Sequence, residues 1–223
     1  MKIYFDGCSW TKGEELEHPQ EERYSKLICD ELGAEETNLA ANGGSNDRIV
    51  RNLLVENNIE EYDLAVIQMT YPARTEYYDA EAISEAERIK YKPDDPNLRG
   101  GWVKVNPKHN YSRWMNLKKE KNINLDNLNE KFDGHKQFWK EYYMGVVSKN
   151  YITTKEKIHY LTIKNHCEVK GIPLILCTIN QWTDLKAIQL NVKSLSYHRH
   201  GHPTKESHRV IADHILKKLR GVF

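Results

Sequence analysis

The sequence predicts an α/β fold in which a parallel sheet is covered by helices on both faces. Two nearly continuous apolar runs, DLAVIQM at residues 63–69 and IPLILCT at residues 172–178, are typical of strands that are buried on both sides. Segments with apolar residues at helical spacing separate the strand-like runs. The resulting order, β-α-β-α-β followed by α-β and a final α, favours parallel strands joined by helical crossovers.

The first elements follow from short local patterns. Residues 2–7, KIYFDG, form a β-rich run that ends at Gly7. Residues 21–32 carry apolar side chains at helical spacing, and Gly33 ends that predicted helix. Residues 35–40 then predict a second strand, which leads into a polar, glycine-containing turn.

The remaining helices are predicted from caps and periodicity. Ser45 or Asn46 is a suitable N-cap for the helix that follows the polar turn. Residues 136–170 are predicted to be mostly helical and to return the chain to the sheet. The last helix begins at Pro203-Thr204 and places its apolar residues on one face, with Gly221 as its predicted C-cap.

Residues 77–150 interrupt this alternation. The segment is rich in Tyr, Lys, Asn and Trp, and we interpret it as an insertion over the strand ends within a single domain of residues 1–223. Its aromatic residues are candidates for stacking on sugar rings, although such residues more often fill cores or surfaces; they are Trp102, Tyr111, Trp114 and Tyr142.

Composition excludes several classes of partner. The 223 residues include 33 Lys and Arg against 32 Asp and Glu, a net charge of +1, so no global field attracts nucleic acid or anionic lipid. No apolar run approaches the roughly 18 residues of a membrane span, and no secretion signal is visible. Four scattered cysteines suit a reducing compartment, and we therefore expect a cytoplasmic protein with neither nucleic acid nor membrane as partner.

Functional groups of an open parallel sheet gather where its strands end, and three such places carry suitable residues. Ser9 follows the first strand, where backbone N–H groups can stabilise a developing anion. Gly43 lies in the turn after the second strand, where glycine permits close approach to a ligand. His202 directly precedes the last helix, a position that suits a general base.

Each of the three also has a simpler explanation. Ser9 can be an ordinary helix N-cap, and the turn at Gly43 can serve only to cap the next helix. The histidines at 198, 200 and 202 can belong to a polar loop. Alternate histidines can also bind a metal, but no Cys or acidic partner lies nearby in the sequence at ligand spacing, so no metal is expected.

Taken together, the three segments resemble the SGNH (GDSL-like) hydrolase superfamily. Gly7-Cys8-Ser9-Trp10-Thr11-Lys12-Gly13 resembles the nucleophile block GDSxTxG with Cys8 in place of Asp. This GCSxTxG variant, followed by Glu15-Leu16, is similar to the form found in phage and bacterial SGNH-like proteins. Residues 38–46 resemble the second block, with Gly43 at the oxyanion-hole glycine, and His202-Pro203 with His208 resembles the last block.

Two positions depart from the family pattern. The oxyanion-hole Asn would fall near Pro72, which has no donor, and Gln68, Thr70 or Arg74 is the possible replacement. The Asp that orients the base would fall near Arg199 or His200, and neither is a carboxylate. His200 or a backbone carbonyl is then a candidate partner for the ring of His202, or the site has lost hydrolysis.

The resemblance implies a flavodoxin-like three-layer α/β/α sandwich and a serine ester hydrolase that needs no cofactor. In that mechanism Ser9 is the nucleophile, His202 the base and Gly43 an oxyanion donor; the substrate is a small-molecule or glycan ester. Further candidates for substrate contact are Trp10, Asn46 and Tyr71. The alternatives are a binding protein on the same fold without catalysis, and catalysis by the Cys8 thiolate.

Overall fold

Seven strands form two sheets in the computed structural model, which describes residues 1–78, 102–105, 138, 141–143, 145–179, 185–190 and 195–220. The main sheet has five parallel strands in the order β2-β1-β3-β6-β7. They are β1 (Lys2–Asp6), β2 (Glu35–Asn38), β3 (Leu64–Met69), β6 (Leu174–Thr178) and β7 (Ile188–Gln189). The other two, β4 (Thr75–Tyr78) and β5 (Trp102–Val105), pair antiparallel in a separate sheet.

Six α-helices surround the main sheet in the described part of the chain. They are α1 (Ser9–Lys12), α2 (Pro19–Glu22), α3 (Tyr24–Leu32), α4 (Asn46–Arg51), α5 (Lys149–Val169) and α6 (Lys205–Leu219). Helix α4 continues into a π-helical turn, Asn52–Glu56, and a 3₁₀ turn covers Ile59–Glu61. None of the described helices has the length and apolar character needed to cross a membrane.

The sheet separates two apolar cores, which makes the fold a three-layer α/β/α sandwich. On one face, Phe5 and Val66 pack with Ile28 of α3 and Ile215 of α6. On the other face, a second cluster joins the sheet to α4 and α5; it includes Tyr4, Ile49, Ile67, Ile163 and Leu176. Adjacent residues of one strand therefore face opposite cores, and the strand order is that of flavodoxin-like folds. The predicted fold class is confirmed.

The capping residues predicted from sequence at Gly33 and Ser45 are correct, but one break within a predicted helix was missed. Gly33 ends α3 in the left-handed region at φ 59°, and Ser45 caps α4 by accepting a hydrogen bond from the Arg48 amide. The single helix predicted over residues 21–32 is instead broken at Arg23, whose backbone is extended. Its guanidinium binds Glu36 on β2 through two hydrogen bonds of 3.0 and 2.7 Å, and this tertiary contact overrides the helical pattern.

The predicted insertion lies mostly outside the described residues. Where the structure does describe it, β4 and β5 pair with each other and not with the main sheet. Residues 141–143 are helical, and Tyr143 is buried, with its hydroxyl donating to the Ala73 carbonyl at 2.7 Å. The predicted cap of the last helix, Gly221, also lies outside the described residues, and α6 ends with Arg220 as its C-cap.

A buried histidine makes the fold sensitive to acid. The ring of His208 on α6 is fully buried and stacks on Tyr24, and its Nδ1 accepts a hydrogen bond from the Tyr24 amide at 3.2 Å. Its Nε2 is buried without a hydrogen-bond partner. Burial, together with the nearby His198, lowers the pKa of His208 from 6.5 to about 4, so the folded state holds the ring neutral.

We predict that this histidine destabilises the fold as the pH falls from 6.5 to 4. The unfolded chain binds the proton at the higher pH, so stability is fully present above pH 6.5 and declines until the folded-state pKa is passed. The shift corresponds to about 3 kcal/mol of unfolding free energy at most. Urea titrations at pH 7.5 and 4.5 should show a smaller loss for His208→Gln, which keeps an acceptor for the Tyr24 amide but does not titrate.

The matched control for this prediction is His18→Gln, because the His18 ring is exposed. It should retain the pH dependence of the wild type. Equal acid sensitivity of His208→Gln and the wild type would contradict the assignment.

Candidate active site

The candidate site lies where the strand order reverses direction. Strands β2 and β3 flank β1 on opposite sides, so the chain leaves the carboxyl ends of β1 and β3 toward different layers and opens a crevice between them. The Ser9 segment follows β1, and the segment from Thr70 to Arg74 follows β3. The crevice therefore brings together two of the segments that the sequence singled out.

Ser9 is the first residue of α1, directly after the end of β1. Its side chain is 7% exposed, and its carbonyl accepts hydrogen bonds from the Gly13 and Glu14 amides, each at 3.0 Å. These bonds close a tight turn around the hydroxyl. Among the described residues, Ser9 Oγ contacts Cys8 Sγ at 4.0 Å and does not hydrogen-bond to His202.

The second loop, residues 39–45 between β2 and α4, packs directly against the first loop, which begins at Gly7 after β1. The Ala41 amide donates to the Gly7 carbonyl at 3.3 Å, and a Cβ atom at Gly44 would lie 2.9 Å from that same carbonyl oxygen. Gly43 adopts φ 64°, a left-handed conformation that glycine tolerates without strain. In the described structure neither the Ser9 nor the Gly43 amide donates a hydrogen bond to the protein, so both remain available to an oxyanion.

Cys8, the residue before Ser9, contacts Gln68 near the end of β3. Its thiol is fully buried and accepts a hydrogen bond from Gln68 Nε2 at 3.3 Å, while Thr11 donates to Gln68 Oε1 at 2.6 Å. Burial raises the pKa of the Cys8 thiol, but the Arg74 charge and hydrogen bonds from Trp10, Gln68 and Thr70 outweigh it and lower the pKa below its usual value. The thiol is thus more acidic than an ordinary cysteine but has no access to solvent.

The three candidates for the missing oxyanion donor differ in how deeply they are buried. Gln68 and Thr70 are buried and engaged with Cys8. Asn46, also buried, fixes Thr70 from both sides: it donates to the Thr70 carbonyl at 3.2 Å and accepts from the Thr70 amide at 2.8 Å. Arg74 is only partly buried; its Nη1 donates to Thr70 Oγ1 at 2.7 Å and its guanidinium lies 4.9 Å from the Tyr71 ring centre.

The histidine loop packs against the turn that contains Ser9. Tyr197 and Pro203 form an isolated β-bridge, and the His198 amide donates to the His202 carbonyl at 2.8 Å. The Tyr197 ring packs 5.6 Å from that of Trp10, the residue after Ser9. The loop thereby brings His202 to the carboxyl edge of the sheet, although it is 193 positions from Ser9 in the sequence.

The structure adds one residue that the sequence analysis did not identify. Glu15 Oε2 lies 2.6 Å from His202 Nδ1, and Glu15 Oε1 lies 3.9 Å from Nε2 of the exposed His200. Because 187 positions separate Glu15 from His202, no local sequence pattern pairs them. The one sequence signal for Glu15 was the Glu15-Leu16 pair that follows the first block of the family resemblance. The side chain of His200 itself, a candidate for orienting His202, is 71% exposed.

The described residues include no group of three or more His, Cys, Asp or Glu side chains placed to hold a metal ion. The described site holds the Ser9 hydroxyl, the Ser9 and Gly43 amides without a protein acceptor, and the His202 imidazole, whose Nδ1 is engaged. Trp10 and Tyr71, candidates for substrate contact, are partly buried and pack against the first core. Trp10 follows β1 and Tyr71 follows β3.

We predict that Gly44→Ala disturbs the site through its backbone. The added Cβ would meet the carbonyl oxygens of Gly7 and Ala41 at 2.9 and 3.0 Å, and neither atom can rotate away. The first and second loops should separate, with a loss of roughly 1–3 kcal/mol in unfolding free energy. Gly145→Ala is the matched control, because a Cβ there meets nothing within 4 Å; equal stability of the two variants would refute the close packing.

Comparisons with known proteins find similarity only to solved structures, and that similarity is distant. No protein-family model matches the sequence, and no curated protein matches it. Among solved structures, a psychrotrophic esterase EstA from Pseudoalteromonas sp. aligns at 14% identity and TM-score 0.42, over 99% of this chain and 97% of that one. TesA aligns at 10% identity and TM-score 0.43 over 100% of both chains.

A member of the lipolytic protein G-D-S-L family from Veillonella parvula aligns at 12% identity and TM-score 0.37, over 97% of both chains. TM-scores of this size carry no argument about the activity of this chain. The flavodoxin-like fold therefore rests on the observed strand order, and the chemistry rests on the geometry of the site.

Proposed function

We propose that this protein is a serine ester hydrolase with Ser9 as nucleophile and His202 as general base. The observation that supports the proposal is that three loops meet at the carboxyl end of β1: the Gly43 loop packs on Gly7, and the loop of His202 packs on Trp10, next to Ser9. Nucleophile, base and oxyanion donors are the minimum set for acyl transfer.

The reaction follows from the position of each group. Ser9 Oγ attacks the ester carbonyl while its proton moves to Nε2 of His202, and the carbonyl oxygen becomes an anion that the Ser9 and Gly43 amides stabilise. The tetrahedral intermediate then expels the alcohol, which takes the proton from His202. Water, activated by the same imidazole, releases the acid from the acyl-enzyme and restores Ser9.

Arg74 is our candidate for the remaining oxyanion donor. Gln68 and Thr70 are almost fully buried and already hydrogen-bond Cys8, whereas the Arg74 guanidinium is only partly buried. Its Nη1 donates to Thr70 Oγ1 at 2.7 Å, so the charge lies beside the segment that follows β3. The substrate we propose is a small ester, with carbohydrate-linked esters as one class to be tested.

A second candidate function is binding without catalysis on the same fold. It is favoured by the missing hydrogen bond between Ser9 Oγ and His202 in the described structure. Catalytic hydrogen bonds of ligand-free enzymes are often long and tighten only when substrate binds, so we retain the hydrolase as the main proposal. Covalent labelling by a fluorophosphonate separates the two, because only an activated serine reacts.

We predict that Ser9→Ala abolishes both fluorophosphonate labelling and any ester hydrolysis while the fold remains intact. Cys8→Ala is the matched neighbour: its thiol is buried under the turn, so labelling should continue at Ser9. Mass spectrometry of the labelled peptide identifies the site. A label on Cys8, or full activity of Ser9→Ala, would exclude Ser9 as the nucleophile.

We predict that His202→Ala reduces the labelling rate far more than His198→Ala or His200→Ala. General-base catalysis typically contributes 10²–10⁴-fold, and only His202 places an imidazole nitrogen on Glu15 at hydrogen-bond distance. The three variants make the same side-chain change within one loop, so they control for each other. Equal losses in His200→Ala and His202→Ala would contradict the assignment of the base.

A further inference from the structure

Glu15 is the only non-glycine residue with a positive φ among those that the structure describes. Its φ is 67°, a left-handed conformation that is costly for residues with a Cβ and uncommon outside Gly, Asn and Asp. Non-glycine residues persist in this region when their surroundings hold them there, and they concentrate at functional sites. The strained residue here is the one whose carboxylate meets His202.

Contacts on both sides of Glu15 hold it in this conformation. The Leu16 amide donates to the Gly13 carbonyl at 3.3 Å, and the Leu16 side chain is buried. On the other side, the Glu14 amide donates to the Ser9 carbonyl and its carboxylate accepts a hydrogen bond from Asn42 in the second loop. The turn is thus tied to Ser9 and to the Gly43 loop, and the Glu15 side chain points toward His202.

The hydrogen bond that results fixes the chemistry of the base. Because Glu15 Oε2 lies 2.6 Å from His202 Nδ1, the carboxylate favours the tautomer in which Nδ1 carries the proton. The proton-accepting nitrogen of the neutral ring is then Nε2. The local electrostatics agree: desolvation raises the pKa of Glu15, but His202, His200 and His198 outweigh it and lower that pKa, which keeps the carboxylate ionised.

We propose that Glu15 is the positioning residue of His202, so that nucleophile and orienting carboxylate belong to one turn, six positions apart. This inference rests on the proposed function. The positions before His202 where the family resemblance places the orienting Asp hold Arg199 and His200, and Glu15 fills that role from the turn that follows Ser9. The carboxylate also ties the histidine loop to the Ser9 turn, so one side chain sets both the ring orientation and the position of the loop.

The test measures the rate at which a fluorophosphonate reacts with Ser9, which requires no knowledge of the natural substrate. In this reaction the Oγ–P bond forms, the P–F bond breaks, fluoride leaves and the serine proton moves to His202. Glu15→Gly should react roughly 10²–10⁴-fold more slowly than the wild type, because loss of the orienting Asp of a triad costs about 10⁴-fold in the best-studied case. Glu15→Asp should recover part of the rate.

Formate distinguishes a positioning role from a purely structural one. Glu15→Gly leaves room beside Nδ1, and added formate should restore at least about tenfold of the lost rate by supplying a carboxylate there, within the range that general-base catalysis contributes. Sodium chloride at the same ionic strength should not. The matched control is Glu17→Gly, which removes a like charge from the same segment, where the side chain is 86% exposed, and should react like the wild type.

A measurement independent of reactivity checks the strained backbone. Glu15→Gly and Glu15→Ala both remove the carboxylate, but only glycine relieves the positive φ, so the glycine variant should melt about 2–4 °C above the alanine variant. Both melting curves also show whether the variants fold.

The outcomes separate this inference from the proposed function. If wild-type Ser9 does not react at all, the proposed function fails and the positioning role fails with it. If the wild type reacts and Glu15→Gly reacts equally fast, the inference alone is overturned. A slow Glu15→Gly variant that formate does not restore would likewise overturn it, since Glu15 would then act only to hold the loop.

Discussion

The site depends on a buried carboxylate at the end of the first strand. Asp6 is completely buried and accepts hydrogen bonds from four groups: the Gly7 amide at 2.7 Å, Arg48 Nη1 at 2.8 Å, Asn52 Nδ2 at 2.9 Å and the Tyr4 hydroxyl at 3.3 Å. A buried charge is tolerated only when its partners replace the lost hydration. This need fixes the direction in which the chain leaves β1, and it holds α4 against the strand that leads into the Ser9 turn.

Close packing then determines how the loops around this anchor meet. At Gly7 a Cβ would lie 2.3 Å from Thr11 Oγ1 and 3.0 Å from Gln68 Cβ, so the turn before Ser9 has room only for glycine. The hydrogen bonds of Cys8 and Thr11 to Gln68 join the ends of β1 and β3. The Ser9 turn, the Gly43 loop and the end of β3 therefore form one connected unit, because they contact one another through backbone or buried polar groups. His202 lies outside this unit and needs a separate contact to hold it there.

The parts of the site that were predictable from sequence are those defined by local chemistry. The predicted positions of Ser9 after β1, Gly43 in a glycine turn and His202 before α6 depend on strand ends and helix caps, which a few adjacent residues specify. The roles of Glu15 and Asn46 depend on partners 187 and 24 positions away. No local pattern encodes such pairs, and Glu15 in addition adopts a conformation that its residue type disfavours.

The sequence by itself determined the layers of this protein. Apolar runs with a period of two or of 3.6 residues specify strands and helices locally, and their alternation leaves a parallel sheet between helices as the way to bury both faces. Only the tertiary structure decided the break at Arg23, the burial of Cys8 beneath Ser9 and the carboxylate that meets His202. Each of these features depends on interactions between side chains or loops that are distant in sequence. Such interactions form only after the sheet has brought the partners together.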